Sequence, residues 1–345
     1  MKALTLAATG GIEHLKVQEL PEPSIDSPTD VIVRVQAAAL NRLDLFVATG
    51  LPGSSLSFPH VVGSDGAGIV HEVGTGVSRL QPGDRVMINP TLSCGACPAC
   101  AAEEDTLCAN LQVLGEHRSG TVAEYVLVPA QNLAVVPPRM SWAQAAAFSL
   151  ATLTAWRMLT TRARIQAGET VLIWGIGGGV AIAALQIARL FGARTIVTSG
   201  SDGKLEVGRR LGADLLLNHQ KADIRTEVRK YTDGLGADVV VDSIGERTWT
   251  DSLRSLRRGG RLVICGATTG PMVSMDLRRL FWHQWSILGS TLGNLREYDQ
   301  IVGHATAGRL WPVIDSIVPL DHAPAAYGRL LRGDQAGKLV IEVAP

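Results

Sequence analysis

The sequence predicts an α/β chain, a β-rich part followed by a doubly wound parallel sheet. Three observations carry that expectation. Short Val- and Ile-rich runs punctuated by Gly, Pro and Asp fill residues 1 to about 140. From 141 onward, strand-like runs alternate with helical patterns. A glycine-rich turn joins the first strand of that alternation to its first helix.

The elements follow in order. DVIVRVQAAAL, GIVHEVGTGV, DRVMINP, AEYVLVP and LAVVPP read as strands of the first region. At Ser141 the texture changes to the Ala- and Leu-rich SWAQAAAFSLATLTAWRML. Ser141 can cap that helix, with Gln144 three residues on completing a capping box. Then ETVLIWG leads to the helix VAIAALQIARLFG, and RTIVTSG to KLEVGRRLGA. DLLLNH leads to ADIRTEVRKYT, and ADVVVDSIG to RTWTDSLRSLRRG, before RLVICGA and WSILGSTLG close the series. The chain ends in the strand GKLVIEV. The resulting divisions are 1–140, 141–299 and a return segment 300–345, two domains at about 150 residues each.

Lys+Arg and Asp+Glu both count 32, so nothing in the charge balance suits a nucleic-acid backbone or an acidic lipid surface. The opening MKALTLAATGG lacks the sustained apolar core of a secretory signal, and a cytoplasmic protein is expected. Val171 to Ala188 is uncharged over a length at the lower edge of a membrane span. Its β-rich start, glycine cluster and helical continuation read instead as strand, turn and helix.

Four of the five cysteines crowd into SCGACPACAAEEDTLCAN: Cys94, Cys97, Cys100 and Cys108. A disulfide framework would spread its cysteines. Four thiolates in one turn-rich loop, at about 91–110, suit a closed tetrahedral zinc site, with an iron–sulfur cluster as the competing use. A closed site has no open coordination position, so its expected role is structural. Cys265 lies in an apolar run and reads as a buried strand residue.

The glycine turn runs Trp174-Gly175-Ile176-Gly177-Gly178-Gly179-Val180-Ala181. Gly175 and Gly178 let backbone approach a pyrophosphate, and the small Ala181 lets helix and strand pack closely. The helix start offers free N–H groups and a positive dipole end. At the end of the second strand, a carboxylate would hold the ribose 2′-OH of NAD. Here that position is Ser199, followed by Gly200, Ser201 and, after Asp202, Lys204. Small hydroxyls and an ammonium favour the 2′-phosphate of NADPH over NADH.

On these segments, with ALNRLD, FPHVVGSDGAGIVHEVGTGV, PGDRV, GEHRSGTVAEYV and LTAW, the chain resembles the medium-chain dehydrogenases/reductases, in their zinc-binding, quinone oxidoreductase-like branch. The resemblance spans essentially the whole chain. It implies a GroES-like substrate domain built from both chain ends, a Rossmann domain between them, and an active site in the cleft where they meet. It also implies a set of cofactor contacts: Thr154 near the nicotinamide, Asn218 and His219 against the adenosine phosphate, and Lys338 reaching the cofactor from the substrate domain. Gly266, Ala267, Ser290, Thr291 and Leu292 would offer backbone to the nicotinamide.

The departures are informative. Where the zinc alcohol dehydrogenases place their catalytic ligands, this chain has Asn41, Ser64-Asp65 and Ser149. One carboxylate and neutral oxygens are a poor zinc set, so the catalytic metal is expected to be absent. His60 reads as a packing or surface histidine. Asn41, Ser64 and Ser149 would form a polar patch, Asp44 and Asp65 would brace it, and His117 is either a proton donor or a satisfied surface histidine.

Three functions compete at this level. The leading one is an NADPH-dependent reductase of enones or quinones. The second is an alcohol dehydrogenase or ketoreductase, and the third a cofactor-gated regulator or RNA binder, against which the neutral charge counts. The apolar strand WSILGSTLG at a sheet edge suits a homodimer.

Overall fold

The computed structural model describes residues 1–53 and 56–344. The chain forms two compact units, Met1–Ala151 with Gly293–Pro345, and Thr152–Leu292. The divisions fall later than 140/141 and earlier than 299/300 for a simple reason. The composition shift at 141 marks the start of the helix Trp142–Trp156, whose first part packs in the first unit. The helix Leu295–Thr306 belongs wholly to that unit, so a cut at 299/300 would pass through it.

The helix Trp142–Trp156 begins as its sequence requires. Ser141 N donates to Gln144 Oε1 at 3.0 Å, and Gln144 N donates back to Ser141 Oγ at 3.2 Å, the reciprocal bonds of a capping box.

The second unit holds a six-stranded sheet. In spatial order its strands are Leu215–Asn218, Arg194–Ser199, Thr170–Ile173, Ala237–Asp242, Leu256–Ile264 and Ser286–Gly289. All pairings are parallel. This is the 3-2-1-4-5-6 order of a doubly wound dinucleotide-binding fold, with its switch point beside Thr170–Ile173. Both faces are covered, so Leu172, Ile196, Leu217, Val240 and Leu262 are buried together. Gly208, on the helix Asp202–Arg210, shows how closely helix meets sheet: a Cβ there would lie 2.8 Å from Val197 Cγ2. Cys265 falls one residue beyond its strand and is half-buried, which corrects its reading as a buried strand residue.

The first unit is built on a seven-stranded sheet in which the strand Asp30–Ala39 is central. On one side it pairs with Asp65–Val73, on the other with the C-terminal strand Lys338–Glu342, both antiparallel. Val31, Val33, Val35, Val70, Leu339 and Ile341 share one buried cluster, each worth about 1.5–3 kcal/mol of burial. The register positions the site. Ala39 lies opposite Asp65 on one flank and opposite Val340 on the other, and Leu40 N donates to Leu339 O at 2.9 Å. Three segments far apart in sequence therefore end at one place.

Candidate functional site

At that place the helix Arg42–Thr49 starts, with Asn41 as its N-cap. Asn41 N donates to Asp44 Oδ2 at 2.8 Å. The Asn41 side chain turns the other way. Its Nδ2 donates to Asp65 Oδ2 at 3.0 Å, and its Oδ1 accepts from Lys338 Nζ at 2.6 Å. The amide is thus oriented unambiguously, oxygen to ammonium and nitrogen to carboxylate.

Lys338 Nζ also lies 2.9 Å from Asp65 Oδ2, in an ion pair whose side chains are 5% and 0% exposed. Asp65 Oδ1 accepts from Leu150 N at 2.8 Å, and its backbone oxygen accepts from Thr121 Oγ1 at 2.7 Å. Charge pairing and complete hydrogen bonding are what a carboxylate at this depth requires. Asp65 is thereby fixed in place by Asn41, Leu150 and Lys338.

Asp44 is buried, and its Oδ1 has no partner among the described residues. Burial pushes its carboxyl up to about 7; the Asn41 bond and the Lys338 charge oppose the rise, and Asp65 adds to it. Tyr327, on the helix Ala323–Arg332, is fully buried with an unpartnered hydroxyl, and burial together with the Asp44 charge raises its pKa.

Ser64 is completely buried, and its Oγ has no partner among the described residues. Ser149 Oγ pairs with Tyr298 Oη at 3.1 Å, and Tyr298 Oη also donates to Met87 O at 3.3 Å. Tyr298, its pKa raised by burial, was not visible as a site residue in the sequence; nor were Leu150 N and Tyr327.

Among the described residues, His117 makes no hydrogen bond to this group. Its Nδ1 accepts from Val113 N at 3.2 Å and its Nε2 lies 3.8 Å from Glu116 Oε1, a local arrangement at 37% side-chain exposure. His60 is buried, with Nε2 3.0 Å from Gly115 O, a packing histidine as expected.

The cysteine lobe is a second centre within this unit. The sulfurs of Cys94, Cys97, Cys100 and Cys108 all lie within 4.8 Å of one another, and all five cysteines are free. Sγ–Sγ separations of 3.5 Å for Cys97–Cys100 and 3.9 Å for Cys94–Cys100 are far from the roughly 2.05 Å of a disulfide. They bracket the edge of about 3.8 Å that four bonds of 2.3 Å give around a tetrahedral zinc. Among the described residues this is the one group of three or more His, Cys, Asp or Glu side chains placed to hold a metal.

In the second unit, parallel strands place the cofactor candidates at one edge, beyond their carboxyl ends. The turn after Thr170–Ile173 carries Gly175, at φ 74, and Gly178 as the N-cap of the helix Gly179–Leu190. The first helical bond runs from Ile182 N to Gly178 O at 3.0 Å. Among the described residues, the N–H groups of Gly179, Val180 and Ala181 have no acceptor, the condition for receiving a phosphate. Gly266 and Ala267 follow Leu256–Ile264 at the same edge, and Ser290, Thr291 and Leu292 follow Ser286–Gly289. Ser290 N donates to Ile264 O at 2.9 Å, while its buried Oγ has no partner among the described residues. Thr154 is buried on the helix Trp142–Trp156.

Ser199 ends its strand, as expected, and its Oγ accepts from Ser201 N at 3.1 Å. Asp202 is drawn elsewhere: it pairs with Lys221 and accepts from Asn218 Nδ2 at 2.6 Å. Asn218 also receives Gln220 N at 3.0 Å, so its side chain is engaged within the protein. His219 packs 6.0 Å from the Trp174 ring, and its pKa is lowered by burial and by Arg247. A Cβ at Gly200 would lie 3.1 Å from both His219 Nε2 and Gln220 Nε2, so those side chains close over a residue that carries none. Lys204 lies on the helix Asp202–Arg210.

With these features in place, comparisons with known proteins define the class. Residues 27–138 match the alcohol dehydrogenase GroES-like domain, and 179–307 match the zinc-binding dehydrogenase family. The chain is 31% identical to an NAD-dependent alcohol dehydrogenase of Sulfolobus acidocaldarius, over 99% of this chain and 100% of that protein. It is 28% identical to the human quinone oxidoreductase, over 99% and 97%. A solved NAD-dependent alcohol dehydrogenase superposes with a TM-score of 0.96 at 44% identity, covering 100% of both chains. The chain belongs to the medium-chain dehydrogenase/reductase superfamily and is a nicotinamide-dependent oxidoreductase. Among the described residues, no helix is long and apolar enough to cross a membrane.

Proposed function

We propose that this chain is an NADPH-dependent reductase of α,β-unsaturated carbonyls or quinones that works without a catalytic metal. The observation that carries the reading is the buried Asn41–Lys338–Asp65 group. A catalytic zinc wants Cys, His and carboxylate donors around one open position. Here the carboxylate is neutralised by an ammonium, and the other groups are an amide and two hydroxyls. That donor set does not fit a metal, but it fits hydrogen bonding to an oxygen that gains charge.

The nicotinamide supplies hydride. In a conjugated acceptor hydride adds at the β-carbon and the charge spreads into an enolate, which a few preorganised donors can hold. A plain ketone concentrates that charge on one alkoxide and profits more from a Lewis acid. Ser64, whose hydroxyl is unspent, is the donor assigned to the substrate; Asn41, its Nδ2 already donating to Asp65 and Ala39 O, orients the group together with Asp65 and Asp44.

Three further assignments go with this reading. Ser199 stands where NAD enzymes carry a carboxylate, and Asp202 is claimed by Lys221 and Asn218, which supports NADPH over NADH. One structural zinc is held by Cys94, Cys97, Cys100 and Cys108. The strand Ser286–Gly289 ends its sheet, and Phe281 and Trp282 beside it are exposed, which supports a homodimer through that edge in a cytoplasmic enzyme.

The test is NADPH oxidation against a panel of enones, quinones and saturated ketones, with and without EDTA. Turnover confined to conjugated acceptors and insensitive to chelator is the expected result. The second reading is an alcohol dehydrogenase, favoured by the names of the relatives at 31% and 44% identity. Alcohol-dependent reduction of NADP⁺ or NAD⁺, lost rapidly on chelation and restored by zinc, would establish it instead.

A further inference from the structure

Lys338 is expected, by resemblance, to reach the cofactor, yet its ammonium is committed within the first unit. Its backbone is pinned by Lys338 N donating to Val313 O at 2.8 Å, and the adjoining strand by Leu40 N on Leu339 O. Its side chain is 5% exposed. An ammonium carries three N–H donors. Two are used, on Asn41 Oδ1 at 2.6 Å and Asp65 Oδ2 at 2.9 Å, and the third has no acceptor among the described residues. Asp65 cannot pull the ammonium away, because Leu150 N and Asn41 Nδ2 hold the carboxylate in place. Ser64, next in sequence to Asp65, carries another buried, unspent hydroxyl.

A fixed, dehydrated cation with one free donor is what a reaction that builds negative charge on oxygen requires. We infer that Lys338 is a catalytic residue, its third N–H binding the carbonyl oxygen of the conjugated acceptor in place of a metal. This rests on the reductase reading above. The step balances. Bound NADPH would supply the hydride, the electron pair of its own C–H bond, that makes the new C–H bond at the β-carbon. The acceptor's C=C π pair moves to give an enolate held by Lys338, with the unspent Ser64 hydroxyl as second donor. The enolate takes a proton at its α-carbon from solvent water, and oxidised NADP⁺ and the saturated carbonyl leave. Lys338 stays charged throughout.

The experiment pairs Lys338→Met with Lys338→Arg and with the double variant Lys338→Met/Asp65→Asn, which avoids leaving a buried carboxylate unpaired. NADPH affinity is titrated by fluorescence, and kcat is measured at saturating NADPH on the best enone. Both uncharged variants should bind NADPH within about twofold of wild type. Their kcat should fall by about 10²–10³, the loss seen when one preorganised donor is removed. Added propylammonium should restore part of the rate of Lys338→Ala, whose truncation leaves room for the amine, with a pH dependence that follows the amine. Lys338→Arg should retain more activity than Lys338→Met. A tenfold loss of NADPH affinity with kcat preserved would make Lys338 a cofactor ligand and overturn the inference alone. Wild-type kcat in the double variant would also overturn it. Wild-type protein that reduces no enone or quinone would overturn both this inference and the reading beneath it.

Discussion

Asp44→Asn isolates the one carboxyl in the site that lacks compensation. Asp44 Oδ2 has a single backbone donor, Asn41 N, and Oδ1 has none. Its pKa stands at about 7 in the folded protein against 3.8 when free, chiefly through burial. An acid whose folded pKa is raised gives stability that is fully present below about pH 4 and lost as pH rises through about 7. Some three units at 1.36 kcal/mol each make the full loss on the order of 4 kcal/mol. Asparagine is nearly isosteric, keeps an oxygen for Asn41 N, and cannot ionise. The variant should therefore gain on wild type by roughly 2–3 kcal/mol between pH 5 and pH 8, most of it before pH 7. Paired urea titrations at pH 5, 6, 7 and 8, holding zinc and protein concentration fixed, read the difference directly. A stability difference that is flat across that range would mean that Asp44 does not change its charge there, and would refute the argument from burial.

Three shorter predictions accompany it. Elemental analysis should give one zinc per chain, and Cys97→Ser should remove it and lower the thermal midpoint, because a structural zinc site contributes folding energy directly. NADPH should bind at least about tenfold more tightly than NADH, or about 1.4 kcal/mol. Lys204→Ala should erode that gap, and an unchanged ratio would remove the lysine from the phosphate site. Light scattering should report a dimer, and Phe281→Glu with Trp282→Glu should shift it toward monomer; a monomeric wild type would refute the edge pairing.

What was legible in the sequence was local. The glycine turn, the Ser141–Gln144 box and the cysteine lobe each place their partners within a few residues, so spacing alone reports geometry. The strand–helix alternation fixed the parallel sheet because a parallel pairing needs a crossover. The site itself depends on register. Asn41, Asp65 and Lys338 converge because Ala39 pairs on both flanks, a fact that no window of sequence contains. Asn41 and Asp65 were visible as ligand-position substitutions, but their bonds were not. Ser149 with Tyr298 and Asp44 with Tyr327 are likewise products of packing between distant helices. The only advance signal for Lys338 was its place at the start of the closing strand, and resemblance pointed it toward the cofactor.

The same packing joins the two centres of the first unit. The helix Leu295–Thr306 is capped by Asn294, whose Oδ1 accepts from Glu297 N at 2.8 Å. The cysteine lobe supplies the rest of the cap. Glu103 O accepts from Asn294 Nδ2 at 2.7 Å, and Asp105 Oδ2 accepts from Leu295 N at 3.0 Å. A carboxylate at a helix N-terminus is favourable in itself, by about 0.3–1 kcal/mol. One turn further on, that helix carries Tyr298, whose hydroxyl meets Ser149. A metal at the four cysteines would therefore act on the reaction only through the order of the lobe and the seating of this helix. Brief exposure to EDTA should leave the rate intact, because a closed thiolate site has no exchangeable position. Cys97→Ser should instead loosen the start of the helix, seen as faster amide exchange at Arg296 to Tyr298. Unchanged exchange there, in a protein shown to have lost its zinc, would break the link between lobe and site.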